Sequence, residues 1–217
     1  MSRRNIKIIK LIEKQVKDFR VPLVTAVSKK HDPYLVLVSC ILSLRTKDKT
    51  TVEASERLFQ AAATPEKMVK LSLPRLTKLI YPVGFYRNKA KFILGISRKL
   101  LSDFRGKVPS SLEGLLTLKG VGRKTANLVL GLGYNIAAIC VDTHVHRISN
   151  RLGWVKTETA QETEYALQRI MPKDYWIGLN TTMVTFGQNV CLPVSPLCSR
   201  CFVYNYCRRV EVKKHRS

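Results

Sequence analysis

The stretch Leu115-Leu-Thr-Leu-Lys-Gly-Val-Gly-Arg-Lys-Thr-Ala-Asn-Leu-Val-Leu130 places a very short turn between two apolar helical segments. Gly120 and Gly122 permit backbone angles closed to other residues and leave the chain open to a close ligand. A helix beginning at Gly122 or Arg123 would turn its unpaired N–H groups and positive dipole end outward, which suits a phosphate. We therefore predict a helix-hairpin-helix element in which Gly120, Val121, Gly122 and Arg123 contact nucleic acid. An ordinary glycine-containing connection between two helices is the alternative interpretation.

The rest of the chain has the same helical character. Apolar residues recur at helical spacing, whereas no alternating run longer than four or five residues stands between paired turn signals. The segments predicted to be helical are 6–19, 33–43, 48–63, 65–71, 73–79, 88–104, 112–118, 123–132, 143–152, 157–170 and 176–188. The sequence therefore predicts an all-α protein with an irregular cysteine-rich loop near its end.

The charge of the chain indicates its partner. The 217 residues include 38 Lys and Arg against 15 Asp and Glu, a net charge of +23. A surplus of this size destabilises a compact protein by self-repulsion unless a polyanion is bound. Nucleic acid is the favoured partner and an acidic membrane surface the second candidate.

The apolar segments are too short for a membrane protein. No run approaches the roughly 20 apolar residues that a membrane helix needs. The basic N-terminus does not lead into a signal-peptide core, because Lys7, Lys10 and Glu13 interrupt it. We expect a cytoplasmic protein, associated with the nucleoid if prokaryotic, and no membrane partner.

Lys124 and Asp142 are candidate catalytic residues. Lys124 falls in the first turn of the hairpin's second helix, where the dipole favours the neutral amine that a nucleophile needs. A surface lysine that only contacts phosphate is an equally good interpretation of the spacing. Asp142 stands between an apolar run and a helical pattern, as a helix N-cap does. A carboxylate fixed at a helix start is also available for catalysis.

Four of the six cysteines form one motif. Cys191, Cys198, Cys201 and Cys207 are spaced C-x6-C-x2-C-x5-C, which in an intracellular protein indicates metal binding rather than disulfides. Four thiolates suit zinc or a four-iron four-sulfur cluster. The uneven single loop favours the cluster modestly over zinc. The other two cysteines, Cys40 and Cys140, stand in apolar runs and are most simply core residues.

These features together resemble the endonuclease III family, the helix-hairpin-helix DNA glycosylases with an iron–sulfur loop. The resemblance spans nearly the whole chain in order. It rests on the cysteine loop and on Leu118-Lys-Gly-Val-Gly-Arg-Lys-Thr-Ala-Asn127, Val141-Asp-Thr-His144, Leu42-Ser-Leu-Arg-Thr-Lys-Asp48 and Val83-Gly-Phe-Tyr-Arg-Asn-Lys-Ala90.

The resemblance implies two helical domains flanking a DNA cleft. A six-helix, barrel-like domain containing the hairpin would span residues 25–136. Residues 1–24 and 137–217 would form a second domain around a 4Fe-4S cluster held by the four cysteines, with the cluster ordering a loop that grips DNA. Lys124 and Asp142 would face each other across the cleft. The family pattern also implies a monomer acting on double-stranded DNA that contains a damaged base.

The implied activity is that of a bifunctional DNA glycosylase and abasic-site lyase in base excision repair. An oxidised pyrimidine is flipped out of the duplex. Lys124 attacks the sugar with the help of Asp142, the base leaves, and a Schiff base forms. β-Elimination then cuts the strand.

Several positions depart from the family pattern, Arg45 and Phe85 among them. Arg45 stands where Gln is common and would fill the gap left by the flipped base, so the preference for the opposite base is expected to differ. Phe85 stands at the wedge position, which is often Leu, and would stack more strongly.

Three alternatives remain open. The first is a mismatch or adenine glycosylase of the same superfamily. It is disfavoured because those relatives lack the hairpin lysine and because Cys40 occupies the position of the Glu that the adenine enzymes use. The second is a non-catalytic DNA-binding iron–sulfur protein, against which the presence of both Lys124 and Asp142 argues. The third is an electron carrier, which a +23 chain with a phosphate-binding hairpin does not suit.

Overall fold

The computed structural model describes residues 3–19, 24 and 32–216, and this part of the chain is helical, without a β-strand. The all-α prediction is therefore confirmed. In chain order the described α-helices are α1 (Arg3–Val16), α2 (Pro33–Ser43), α3 (Asp48–Ala61), α4 (Pro65–Met68), α5 (Leu73–Ile80), α6 (Tyr86–Asp103), α7 (Leu112–Leu116), α8 (Arg123–Leu128), α9 (Thr143–Leu152), α10 (Ala160–Ile170) and α11 (Trp176–Asn189). No helix among these residues combines the length and the apolar character that crossing a membrane requires.

The chain divides into two compact units. The middle unit is Leu23–Ile136, and the terminal unit joins Met1–Pro22 to Ala137–Ser217. The predicted domains were divided at 24/25 and 136/137.

The middle unit is built around α2. This helix is almost entirely apolar, and every residue from Tyr34 to Leu42 is buried. It packs against α3, α6 and α8 and against a π-helical turn, Val129–Gly133, that follows α8 directly. Burial of a whole helix surface explains why its sequence lacks the one-sided apolar pattern of a surface helix.

The π-helical turn corrects one predicted helix. The segment 123–132 was predicted as a continuous α-helix, but α8 ends at Leu128 and the wider turn follows. Gly133 ends this turn against the backbone of Pro33, since a Cβ at Gly133 would lie 2.9 Å from the Pro33 Cα. The turn therefore brings the chain onto the first residue of α2, a contact that local periodicity does not encode.

The terminal unit has its own core. Ile8, Ile9 and Ile12 of α1 are buried together with apolar residues of α9, α10 and α11. The last helix leads into a loop with two 3-10 turns, Cys198–Arg200 and Tyr204–Tyr206, which contains the four-cysteine motif.

Two helices with a capped start have the predicted bounds at both ends. Residues 33–43 and 143–152 were predicted with the observed bounds, because Asp32 and Asp142 accept backbone N–H bonds at the helix starts. The first helix begins at Arg3 and ends at Val16 rather than spanning 6–19. Other predicted ends, such as 157–170 for α10, differ by one to three residues.

Candidate functional site

The hairpin between α7 and α8 has the predicted turn. Gly120 takes a φ of +87°, and a Cβ at this position would lie 3.1 Å from the Phe92 ring. Val121 follows with its side chain buried, and its N–H donates to the carbonyl of Leu118 at 3.0 Å. Gly120 is therefore required by its backbone angle and by the close aromatic ring, while Val121 anchors the turn to the core.

Gly122 differs from the prediction. Its φ of −96° and ψ of 174° are extended angles that any residue adopts, so no special backbone freedom is used there. Nothing lies within 4 Å of the place where its Cβ would stand. The backbone at the start of α8 is therefore open to a close ligand, as expected.

Lys124 is exposed and lies in the first turn of α8. Its charge acts on the thiol of Cys40 in α2, so the two side chains are close. Burial nevertheless raises the pKa of Cys40 to about 12, and the opposing effect of Lys124 is smaller. The Cys40 thiol is therefore neutral at physiological pH and does not supply the carboxylate chemistry of a Glu at this position.

Asp142 caps α9 as predicted. Its Oδ1 accepts from the backbone N–H groups of His144 and Val145, both at 2.9 Å. The residue is half-buried, and its backbone is extended. The two bonds fix the carboxylate in one orientation at the positive end of the helix.

The other end of α9 holds the cysteine loop. Arg147 donates to the carbonyl of Cys191 at 2.8 Å, and Arg151 donates to the carbonyls of Leu192 at 2.6 Å and Pro193 at 2.7 Å. Arg151 Nη1 also lies 3.5 Å from the Cys191 Sγ. One helix therefore carries Asp142 at its start and the supports of the cysteine loop along its length.

The four cysteines Cys191, Cys198, Cys201 and Cys207 line one cavity in the terminal unit. Apolar side chains, among them Phe186, complete its walls. The thiols line this cavity without meeting at one point. Among the residues that the structure describes, no group of three or more His, Cys, Asp or Glu side chains is arranged to hold a single metal ion.

The cavity supplies partners for thiolate sulfur. The backbone N–H of Arg209 donates to the Cys207 Sγ at 3.3 Å, and the Arg151 guanidinium lies beside Cys191. Burial, with a smaller contribution from the neighbouring cysteines, raises the pKa of Cys201 to about 12. A thiolate at Cys201 is therefore unfavourable unless a bound cationic group compensates for the lost hydration.

Arg45 and Phe85 lie together at the surface of the middle unit. Both are exposed, and both have left-handed backbone angles, with φ of 51° and 57°. The Arg45 guanidinium carbon lies 5.8 Å from the centre of the Phe85 ring. An open cavity of about 350 Å³ adjoins them, and its lining includes Phe92 of α6 and Gly120 of the hairpin.

The sequence interpretation missed Lys89, Arg147 and Arg151. Lys89 is only 5% exposed, and its ammonium is surrounded by oxygen acceptors. The sequence does contain a signal for the burial of Lys89, because this lysine lies at helical spacing from Ile93 and Ile96, which are buried. The two arginines gave none, because their partners are backbone carbonyls far along the chain.

Comparison with known proteins places these features in a wider set. Residues 38–173 match the family described as HhH-GPD superfamily base excision DNA repair protein. The chain is 52% identical to endonuclease III of Thermotoga maritima over 179 residues, 82% of this chain and 84% of the relative. It is 44% identical to endonuclease III homolog 1, chloroplastic, of Arabidopsis thaliana over 80% of this chain, but that match covers 48% of the plant protein.

The fold has a similar relative among solved structures. A trapped endonuclease III–DNA covalent intermediate has a TM-score of 0.82 and 31% sequence identity to this chain. The match covers 96% of this chain and 97% of that one.

Proposed function

This chain belongs to the HhH-GPD superfamily of base excision DNA repair proteins and, within it, to the endonuclease III family, and on that premise we propose that it removes oxidised pyrimidines from double-stranded DNA through Lys124. It is a bifunctional DNA glycosylase and abasic-site lyase. The observation that carries the assignment is an exposed Lys124 in the first turn of α8, beside the open backbone of Gly122. We place the enzyme in the cytoplasm, acting as a monomer on DNA.

Lys124 is the nucleophile in this proposal. Its neutral amine donates an electron pair to the anomeric carbon of the sugar, and the bond from that carbon to the base breaks. The base leaves with the bonding pair and a proton. Transfer of the second amine proton to the ring oxygen breaks the bond between that oxygen and the anomeric carbon, which opens the sugar and gives the imine that links Lys124 to the strand. Removal of a proton from the neighbouring sugar carbon then expels the 3′ phosphate, which is the lyase step.

Asp142 takes the role of base and counter-charge. A carboxylate accepts a proton from the lysine nitrogen and stabilises positive charge that develops on the sugar. The hydrogen bonds from His144 and Val145 to Oδ1 support this role, because they hold the carboxylate in one orientation. Their fixed direction avoids reorientation during the reaction.

The contacts with DNA are assigned to three places in the middle unit. The hairpin, with Gly120, Val121, Gly122 and Arg123, grips a backbone phosphate through its N–H groups and charge. Arg45 fills the gap left by the flipped nucleotide, and Phe85 stacks on the neighbouring base pair. Both side chains are exposed, as these roles require.

The cysteine loop is assigned a four-iron four-sulfur cluster. Four thiols around one apolar cavity match the donor set of such a cluster, whose irons separate the thiolates, and N–H donors to sulfur are typical of these sites. Cys191, Cys198, Cys201 and Cys207 would hold it, and it would order the loop rather than take part in bond cleavage. Arg151 and the Arg209 backbone stabilise the sulfur charge.

Borohydride trapping tests the role of Lys124. Reduction of the imine links enzyme to DNA permanently, so wild-type protein should form a covalent adduct with duplex carrying an oxidised pyrimidine. Lys124→Ala should form none, because no amine remains at the attacking position. Lys107→Ala, which removes an exposed lysine of the same unit outside the hairpin, should trap like wild type.

Two results would contradict the assignment. One is the absence of any adduct with wild-type protein. The other is an adduct of equal yield with Lys124→Ala, which would move the nucleophile to another amine.

A further inference from the structure

Arg45 and Phe85 are carried by two loops that meet at the surface. The insertion loops, as we call them, are residues 44–47, which follow α2, and residues 81–85, which precede α6. The closest approach is at Gly84, where a Cβ would lie 2.5 Å from the carbonyl oxygen of Arg45. Any side chain at Gly84 would push the loops apart.

A buried ammonium holds the first loop. The Nζ of Lys89 donates to the carbonyl oxygens of Leu42 at 2.8 Å and Leu44 at 2.5 Å, and to the Thr46 Oγ1 at 3.0 Å. An ammonium has three protons, and each has an acceptor here. These acceptors flank Arg45 on both sides in the chain.

Thr46 connects this ammonium to the second loop. Its Oγ1 accepts from the Gly84 backbone N–H at 3.1 Å and donates to the carbonyl of Leu44 at 3.2 Å. The backbone N–H of Lys89 donates in turn to the carbonyl of Phe85 at 3.0 Å. Lys89 and Thr46 together therefore bond to residues of both insertion loops.

This arrangement has two energetic costs, the burial of a charge and strained backbone angles. Burial lowers the pKa of Lys89 to about 8, because water no longer solvates the charge. Arg45 and Phe85 both lie in the left-handed region, which side chains other than glycine adopt only when their surroundings hold them there. Two flexible loops would need neither a buried ammonium nor left-handed backbone angles.

We propose that Lys89, acting through Thr46, is a positioning residue that fixes Arg45 and Phe85 as one preformed pair and thereby sets how strongly the enzyme discriminates the base opposite the lesion. This inference rests on the proposed function of these two side chains. A pair ordered before DNA arrives loses little freedom on binding, so a mismatched opposite base is not accommodated by movement of the loops. Loosening the loops should let Arg45 adapt to either base.

Amide hydrogen exchange of the free protein tests the positioning. Thr46→Val keeps the shape and removes the hydroxyl, whereas Thr46→Ser keeps the hydroxyl. Thr46→Val removes all three hydrogen bonds of the hydroxyl, so exchange in both insertion loops should accelerate by at least about fivefold, whereas it should stay near wild type in Thr46→Ser. Exchange in the hairpin segment 118–124 should not change.

Lysine variants extend the comparison. Lys89→Met should accelerate exchange in the same two loops, while Lys91→Met, an exposed lysine on the same helix, should not. If Lys89→Met fails to fold, the valine and serine pair at Thr46 decides the matter alone.

Single-turnover excision of an oxidised pyrimidine opposite guanine or adenine tests the consequence. The ratio of the two rates should move toward one in Thr46→Val and return to the wild-type value in Thr46→Ser. Borohydride trapping at a preformed abasic site should remain within about twofold of wild type, because Lys124 lies outside the affected loops.

The proposal would be overturned by unchanged exchange in Thr46→Val, or by faster exchange that leaves the rate ratio at the wild-type value. Wild-type protein that neither excises nor traps would refute the proposed function instead. The exchange comparison would still decide whether Lys89 and Thr46 order the loops.

Discussion

Asp142 has a structural task as a helix cap and, in the proposed mechanism, a chemical task, and two substitutions separate them. Asn caps a helix nearly as well as Asp, so Asp142→Asn should leave the free energy of unfolding within about 0.5 kcal/mol of wild type. It cannot take a proton, so single-turnover cleavage should fall by roughly 10²-fold or more. Urea unfolding and gel-based cleavage measure the two quantities.

Asp142→Ala is the matched comparison. It removes both tasks and should lose about 1 kcal/mol of stability as well as the activity, since the N–H groups of His144 and Val145 lose their acceptor. Full cleavage by Asp142→Asn would show that Asp142 is a cap and nothing more.

The two hairpin glycines should respond differently to alanine. Gly120→Ala forces a side chain into a φ of +87° and against Phe92, so it should cost at least roughly 1–2 kcal/mol of unfolding free energy. Gly122→Ala has ordinary backbone angles and open space, so stability should change by less than about 1 kcal/mol.

Gly122→Ala should instead weaken the binding of DNA. Its new methyl group would stand where a phosphate approaches the backbone, so affinity for duplex DNA, measured by fluorescence anisotropy, should weaken while the melting curve stays near that of wild type. Unchanged affinity would mean that the phosphate does not approach Gly122.

Single residues were predictable where their signal is local. The positive φ of Gly120 and the cap at Asp142 depend on a few adjacent residues, so the sequence indicates them. The contacts of Lys89 do not, because its carbonyl acceptor Leu42 is 47 residues away. For Gly122, the predicted need for a special backbone angle was wrong, whereas the predicted openness agrees with the structure.

At the scale of elements, α9 makes a prediction about the cysteine loop. Arg151→Met removes the donors to the carbonyls of Leu192 and Pro193, so the loop should hold the proposed cluster less tightly. Wild-type protein should be yellow-brown and contain iron and sulfide. The variant should lose iron faster to a chelator, by about tenfold if 1–2 kcal/mol of loop order is lost.

Arg169→Met serves as the control, because it removes an exposed arginine from α10. Equal iron loss from both variants would contradict the role of Arg151. Colourless, active protein with stoichiometric zinc would overturn the iron–sulfur assignment itself.

Helix positions were largely predictable, and the reason is visible in the caps. Asp32 with Pro33 and Asp142 mark helix starts by local chemistry, and their helices have the predicted bounds. The π-helical turn Val129–Gly133 was not predictable, because its place is set by the packing of Gly133 on Pro33, 100 positions earlier in the numbering. Tertiary contact decided that element.

At the scale of the whole molecule, the net charge of +23 predicts steep salt dependence. Each phosphate neutralised by the protein adds about 0.9 to the slope of log affinity against log salt. Arg123→Gln should therefore reduce the slope by about 1 if Arg123 contacts a phosphate. Anisotropy titrations with undamaged duplex at several salt concentrations provide the slope.

Lys99→Gln removes the same unit of charge from a residue outside the hairpin sequence, one that pairs with Asp103 at 2.7 Å. Its slope should match wild type. Equal reductions in both variants would mean that the overall charge, not a contact at Arg123, determines salt dependence.

The hydrogen bonds between α9 and the cysteine loop have a consequence for the cell. Asp142 begins the helix, and Arg147 and Arg151 tie its later turns to the loop that contains the cysteines. In the proposed enzyme, the free energy of assembling the cofactor and the order of the carboxylate are thermodynamically linked. Newly made protein would become competent only after iron delivery, so the capacity to repair oxidised DNA would follow the supply of the metal.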